Sequence, residues 1–415
     1  MPLYRRLARQ DDLSIKVFFT WHAAQDSVLD HGFNIPVAWD IPLTEGYEFE
    51  AVSNVSSNPG THHFFGLNNP LLMERIKSWQ PDIVHITGWA WLSHLRAMRE
   101  CYRSKIPTFF RGDSHLLDEP CHGYRWRLKH LVLKRVFSWP SGFLVVGRQN
   151  RTYYRAFGVR ADRLFQCPHS IDVGRFAEPA EEFERQAARW RQQLGIGNER
   201  CVLLFAGKFE EKKRPLALMR AVLASGNRSL CVIMVGNGEL EREVSEIASA
   251  YPELFRVLPF QNQSRMPVVY RLGDLFVLPS GYGETWGLAV NEAMACGRPV
   301  LVSDRVGCAV DLVDASCGRT IECNNQSALA RALAEMTADR KRLADMGRCA
   351  AVRAWSFDIT KTEEALLVAV DSVVGPLARQ SLRSNGPLPS PAGEEGVLTD
   401  AVVAADPESS RGMWS

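Results

Sequence analysis

Neither sign of charge is in excess in this 415-residue chain: Lys+Arg 49 against Asp+Glu 47 leaves +2, so no global basic field points to a nucleic-acid partner. No apolar run reaches the ~18–20 residues that a membrane span needs. The N-terminus, MPLYRRLARQDDLSIKVFF, has no apolar stretch long enough for a signal peptide. A cytoplasmic protein is therefore expected. The ten cysteines contain no CxxC pair, which argues against a zinc ribbon or a disulfide scaffold. Cys201 and Cys231 fall in apolar, strand-like runs and are expected to be small buried thiols. No short internal repeat is visible. No Walker pattern GxxxxGK[ST] and no DxD triplet are present, and no metal ligand set clusters near the candidate loops.

What is present is a rhythm. Short apolar runs alternate with helix-length amphipathic segments, the pattern of α/β domains with parallel sheets. Strands are expected near 14–20, 82–86, 107–110 and 142–146, and again near 201–206, 229–235, 274–279 and 298–302. Helices are expected near 69–79, 89–104, 123–137 and 148–157. Each half then reads as a doubly wound, Rossmann-like sheet with right-handed crossovers. The expected organisation is a first domain over 1–176, a charged linker over 177–198 and a second domain over 199–356. A helix over 357–375 would cross back to the first domain, and 376–415, rich in Pro, Ser, Gly and acidic residues, would be a disordered tail.

Ligands of such sheets bind beyond the carboxyl ends of the strands, so chemistry is sought there. Gly207-Lys208-Phe209-Glu210-Glu211-Lys212-Lys213-Arg214-Pro215 follows CVLLFA. Its four cations at a strand end suit a phosphate, although a solvated basic loop is the plain alternative. Gly281-Tyr282-Gly283-Glu284-Thr285-Trp286-Gly287-Leu288 follows DLFVLPS and leads into a helix carrying Glu292. Free N–H groups at that helix start favour an anion. Two carboxylates flanking it, each able to accept from vicinal hydroxyls, suit a sugar nucleotide. Gly236 and Gly238 sit in a weaker GxG, where a ligand could approach the backbone or the turn could simply require glycine.

In the first half, Arg111-Gly112-Asp113-Ser114-His115 follows PTFF. It brings a cation, a carboxylate and an imidazole to a strand end, or else it is a capped turn. His85 and Gly88 end the preceding strand. The segment 123–137 (GYRWRLKHLVLKRVF) is a basic, aromatic helix that could lie on an anionic membrane surface or be a solvated face.

Taken together, these residues resemble glycosyltransferase family 4, the group 1 retaining nucleotide-sugar transferases of GT-B architecture. The G-[RK]-x4-K loop (Gly207, Lys208, Lys213) and the E-x7-E element (Glu284, Glu292) carry the likeness. EAMACGRPV, the late WSF at 355–357 and Pro168-His169-Ser170-Ile171-Asp172 match in kind and order. The resemblance covers roughly 82–375 and implies two Rossmann-like domains facing across a cleft. It implies a donor bound by Lys208 and Lys213 at the diphosphate, helped by Gly287 and Leu288. Glu284 would then hold the sugar, Glu292 the ribose, and Gly236 and Gly238 would lie near the base. The anomeric configuration would be kept, no metal or cofactor would be needed, and the leaving diphosphate would draw the acceptor proton.

The acceptor, a glycan, a lipid-linked sugar or a small molecule, would sit on the first domain near Arg111, Asp113 and His115. Gly32 stands in for the family's Gly-Gly loop, and whether Asp113 or His115 acts is open. The rival classes are a glycoside hydrolase using Glu284 and Glu292 and a noncatalytic nucleotide-sugar-binding protein. Lys213 is expected to carry most of the electrostatic work, and Lys212 to point elsewhere.

Overall fold

A computed structural model of the protein describes residues 2–21, 28–30, 33, 35–119, 123–375 and 399–404. The chain forms two compact units. One comprises Met1–Ala23, Pro42–Pro168 and Thr360–Ser415, and the other Ala24–Ile41 and His169–Ile359.

The first unit holds a parallel sheet. From one edge its order is Glu48–Ala51, Ser14–Phe19, Thr399–Ala404, Ile83–Thr87, Thr108–Arg111, Gly142–Val145 and Leu164–Gln166. The expected strands are present within a residue or two. Glu48–Ala51 (EFEA) escaped sequence reading because it is a half-exposed edge strand without an apolar run; its carboxylates pair with Lys16 on the neighbouring strand. Helix Arg148–Ala156 carries Tyr153 and Tyr154 into an aromatic cluster with Phe110, Phe137, Phe143 and Phe157. Ring pairs such as Phe143–Tyr154, 4.9 Å between centroids, add specific geometry to the area buried.

The second unit holds a six-stranded parallel sheet in the order Phe255–Leu258, Leu230–Val235, Cys201–Ala206, Leu275–Leu278, Val300–Ser303 and Gly318–Ile321. The strands CVLLFA and LCVIMV are buried at every position. Continuous apolar runs suit strands covered on both faces. Their thiols, Cys201 and Cys231, lie inside the sheet, and burial pushes both up, Cys201 to about 12. Helix Pro215–Ser225 starts with proline at its first position and ends at left-handed Gly226. It buries Leu218, Met219 and Val222 on the sheet, each contributing ~1.5–3 kcal/mol. The strand order reverses between Cys201–Ala206 and Leu275–Leu278. That switch point is where an open α/β sheet opens a crevice for ligands.

Three boundaries differ from expectation. Residues 177–198, expected as a connecting helix or linker, contain helix Ala180–Gln193, which belongs to the second unit: Arg191 donates to Leu272 O and Asp274, and Arg271 stacks on Phe183. Residues Ala24–Ile41, expected in the first domain, group with the second unit. Within the expected tail, Thr399–Ala404 forms a strand parallel to Ser14–Phe19 and Ile83–Thr87; the rest of 376–415 lies outside the described residues. Paired Val402 and Val403 are β-branched residues that suit a strand, a signal hidden by the polar composition around them. Helix Ile359–Val374 packs Leu366, Ala369 and Val370 against Leu13, Ile15 and Ile83 of the first unit.

Candidate donor-side active site

The two strongest sequence candidates follow the two strands that flank the switch point of the second sheet. After Cys201–Ala206 the chain runs through Gly207 and Lys208 into a short turn, Glu211–Lys213, closed by the Lys213 N–H donating to Glu210 O at 2.9 Å. Arg214 then takes a left-handed φ of 55° and leads into the helix at Pro215. After Leu275–Leu278 the loop at 279–287 is stitched to this turn by the Gly281 N–H donating to Lys212 O at 2.6 Å.

That stitch brings Lys213 and Glu284 together. The Lys213 ammonium donates to Glu284 Oε2, and Ser280 Oγ donates to the same oxygen at 3.1 Å. Glu284 is held from behind as well. Its carbonyl accepts from the Gly307 N–H at 2.9 Å, and a side chain at Gly307 would collide with Thr285 O. Burial pushes the Glu284 carboxyl up, but the charge and hydrogen bond of Lys213, with Ser280 and Lys212, outweigh it and hold the group below its ordinary range. Lys212, expected to point elsewhere, pairs with Glu210 at 2.5 Å, largely buried, and its field reaches Glu284.

Helix Leu288–Ala295 begins at Gly287, whose φ of +93° and contact with Val306 leave no room for a Cβ. Gly287 and Leu288 thus open a helix whose first N–H groups have no intrahelical acceptor. One and a half turns on, Glu292 accepts from the Tyr270 hydroxyl at 2.6 Å. Burial pushes Glu292 up, and the Tyr270 hydrogen bond and Arg175 offset only part of that. Tyr270 and Arg175 were missed in the sequence, because a tyrosine in an apolar helix and an arginine after an Asp cap carry no motif. The two carboxylates therefore differ: Glu284 is kept ionised beside a cation, and Glu292 is biased toward its neutral form.

Gly236 and Gly238 have a structural reason. A Cβ on Gly236 would meet Gly207 O, and one on Gly238 would meet the Phe209 backbone at 2.7 Å. These glycines let the two neighbouring strand-end loops touch. Lys208 lies with its ammonium 5.0 Å from the Phe33 ring centroid.

In the first unit, Arg111 donates to Cys167 Sγ and Pro168 O. Gly112 exchanges two 2.9 Å hydrogen bonds with the Tyr154 hydroxyl, and Ser114 O accepts from Asn150. Asp113 is half-buried, and His115 is buried with its Nδ1 accepting the Leu117 N–H at 3.3 Å. The Arg111–His115 stretch is thus a braced, irregular segment at the end of its strand. His85 is buried with neither ring nitrogen hydrogen-bonded, and burial together with Arg111 pushes it down to about 3. Gly32 lies outside the described residues. Among the described residues no group of three or more His, Cys, Asp or Glu is placed to hold a metal, and no helix is long and apolar enough to cross a membrane.

Comparison with known proteins bears on the family and the fold. The group 1 glycosyl transferase profile matches residues 186–353 and the glycosyltransferase family 4 profile matches residues 39–175. D-inositol 3-phosphate glycosyltransferase of Nocardia farcinica is 32% identical over 228 residues, 52% of this chain and 49% of that protein. The chain thus spans about half the length of the curated relatives it matches. Among solved structures, Anabaena Alr3699/HepE in complex with UDP and glucose superposes with a TM-score of 0.63 at 17% identity, covering 86% of this chain and 99% of the other. Sucrose-phosphate synthase from Thermosynechococcus elongatus gives 0.62 at 16% identity, with 90% and 100% covered. At such identities these neighbours speak for the fold alone, an α/β GT-B architecture with two Rossmann-like units. With both profiles matched in tandem, the chain belongs to the group 1, family 4 glycosyltransferases.

Proposed function

We propose that the protein moves a sugar from a nucleoside-diphosphate sugar to a glycan, lipid-linked or small-molecule acceptor, keeping the anomeric configuration and needing no divalent metal. The Lys213–Glu284 pair at the switch point of the second sheet carries this reading. A cation hydrogen-bonded to a carboxylate there serves two parts of one donor. The ammonium meets the diphosphate, whose charge grows as the glycosidic bond breaks, and the carboxylate accepts from a sugar hydroxyl. Glu292, steadied by Tyr270, accepts from the ribose. Lys208 and the N–H groups at Gly287 and Leu288 complete an anion site, so that lysines and backbone supply the charge a metal would otherwise bring. On the first unit, Arg111, Asp113 and His115 face the acceptor.

The opposed shifts of Glu284 and Glu292 also fit an acid and base pair of a glycoside hydrolase. A hydrolase has no use for lysines at a diphosphate site, so donor choice separates the two. A thermal-shift screen with UDP-, GDP- and other nucleotide sugars, followed by transfer assays, tests the proposal. The panel should include UDP-glucose and an inositol-phosphate acceptor, after the neighbours above. A ligand at ~100 times its dissociation constant stabilises by ~2.7 kcal/mol, a clear shift. Hydrolysis of a simple glycoside without nucleotide-sugar turnover would sink it; binding without turnover across all acceptors would leave a binding protein.

Helix Tyr124–Val136 supports a lipid-linked acceptor. It exposes Tyr124, Leu128, Leu131 and Val132 between Arg125, Arg127, Lys134 and Arg135, with no acid in the helix. Such a face suits the interface of an anionic bilayer, with apolar residues in the acyl boundary and cations at the headgroups. Lys129 in the same helix is paired with Glu119.

A further inference from the structure

One contact at the donor site follows from none of the pairs above. Phe33, next to the Gly32 singled out in the sequence, lies under the Lys208 ammonium and meets Phe260 edge to face, with centroids 4.7 Å apart. Phe260 is fixed in turn. Its N–H donates to Asn237 Oδ1 at 2.7 Å, and Asn237 O accepts the Phe209 N–H, one residue beyond Lys208, at 2.8 Å. The chain after Phe33 is fastened to the same unit. Asn262 Nδ2 donates to Ala38 O at 2.6 Å, and the Ser264 N–H donates to Asp40 Oδ1 at 3.0 Å while Ser264 Oγ donates to Asp40 Oδ2.

A ring face attracts an ammonium without taking up an acceptor in return. Here it restrains one side of the four-carbon Lys208 side chain. We propose that Phe33 is a positioning residue for the donor. Carried by a segment pinned at Asp40, it presets the Lys208 ammonium toward the diphosphate and so sets donor affinity. This rests on the donor site described under the proposed function.

The test is calorimetric titration of UDP and GDP into wild type, Phe33→Leu, Phe33→Trp, Lys208→Ala and Phe33→Leu/Lys208→Ala, with donor KM and kcat measured alongside. Phe33→Leu should weaken binding of the preferred diphosphate roughly two- to fivefold, a cation–π contact of ~0.5–1 kcal/mol at 1.4 kcal/mol per tenfold. Donor KM should rise by a similar factor, and kcat should change less. Phe33→Trp, which keeps a ring face, should restore binding, and Phe33→Leu should cost nothing more once Lys208 is alanine. Asp40→Asn, with the ring intact and its anchor weakened, should also loosen binding. Phe33→Leu binding as tightly as wild type or tighter, or an equal loss in the Lys208→Ala background, overturns the proposal while leaving the donor site standing. Wild type that binds no nucleoside diphosphate overturns both. Thermal unfolding of each variant separates a lost contact from a lost fold.

Discussion

Lys213 and Glu284, 71 residues apart in sequence, form an ion pair between two adjacent strand-end loops, with side-chain exposures of 21% and 10%. Neither residue is freely solvated. Lys213→Ala should therefore do two things. Turnover should fall ~10²–10³-fold, the usual loss when one electrostatic stabiliser of a transition state is removed. Stability should fall by ~1–3 kcal/mol, less than for a fully buried pair because the lysine keeps part of its hydration. Glu284→Gln should reduce turnover far more than affinity for the free diphosphate. The double variant Lys213→Met/Glu284→Gln should recover most of the stability and none of the activity. Thermal unfolding and initial rates read the cycle. Because Lys212 is paired with Glu210 and acts on Glu284, Lys212→Ala should cost a few-fold in rate, well short of Lys213→Ala. Equal losses from the two lysines would mean a diffuse basic surface and no donor site.

The pair also makes an acid-side prediction. The folded Glu284 carboxyl sits below its ordinary value, so its contribution to stability is present above the unfolded value and is lost as pH falls through the lower folded one. Glu292 has the opposite sign. Its folded value is raised, so its neutral form is favoured at low pH and its ionised form costs stability as pH rises through that value. If the ribose donates to the Glu292 carboxylate, nucleoside diphosphate affinity should fall as pH drops below its raised value. Tyr270→Phe, which removes a hydrogen bond to the ionised form, should move that fall to higher pH. Titrations upward from the ordinary carboxylate range would show it; an unchanged profile in Tyr270→Phe would remove Glu292 from the ribose site.

A chelator provides the third prediction. Lysines and helix N–H groups should suffice for the departing diphosphate, so transfer should continue in EDTA. Loss of activity in EDTA with recovery in Mg²⁺ or Mn²⁺ would contradict metal-independent transfer.

The helix Tyr124–Val136 provides the fourth. Sedimentation with anionic vesicles at low salt should capture the protein and release it as salt rises, each Lys or Arg near the surface contributing ~1 kcal/mol. Leu128→Glu/Leu131→Glu should abolish capture, and Lys129→Ala should matter less than Arg125→Ala or Arg127→Ala because Lys129 is already paired. Capture indifferent to all of these would assign the helix to solvent.

Much of this protein was legible in its residues alone. Buried parallel strands such as CVLLFA read as continuous apolar runs, and the loops after them announce themselves through Gly, Lys and Glu at fixed spacing. Those are local signals, set by backbone geometry and by which side chains tolerate burial. The partners of each charge were not legible, because they come from chain segments distant in sequence. Glu284 with Lys213, Glu292 with Tyr270, and Phe33 under Lys208 join segments 71, 22 and 175 residues apart. Sequence composition left 177–198 as a connecting helix or linker and named no partner for Lys212. Tertiary packing decided both, since a charged helix can bury one apolar stripe and a lysine can be withdrawn from water once a carboxylate meets it. The residue types therefore determined what chemistry was available, and only the fold decided which groups would share it.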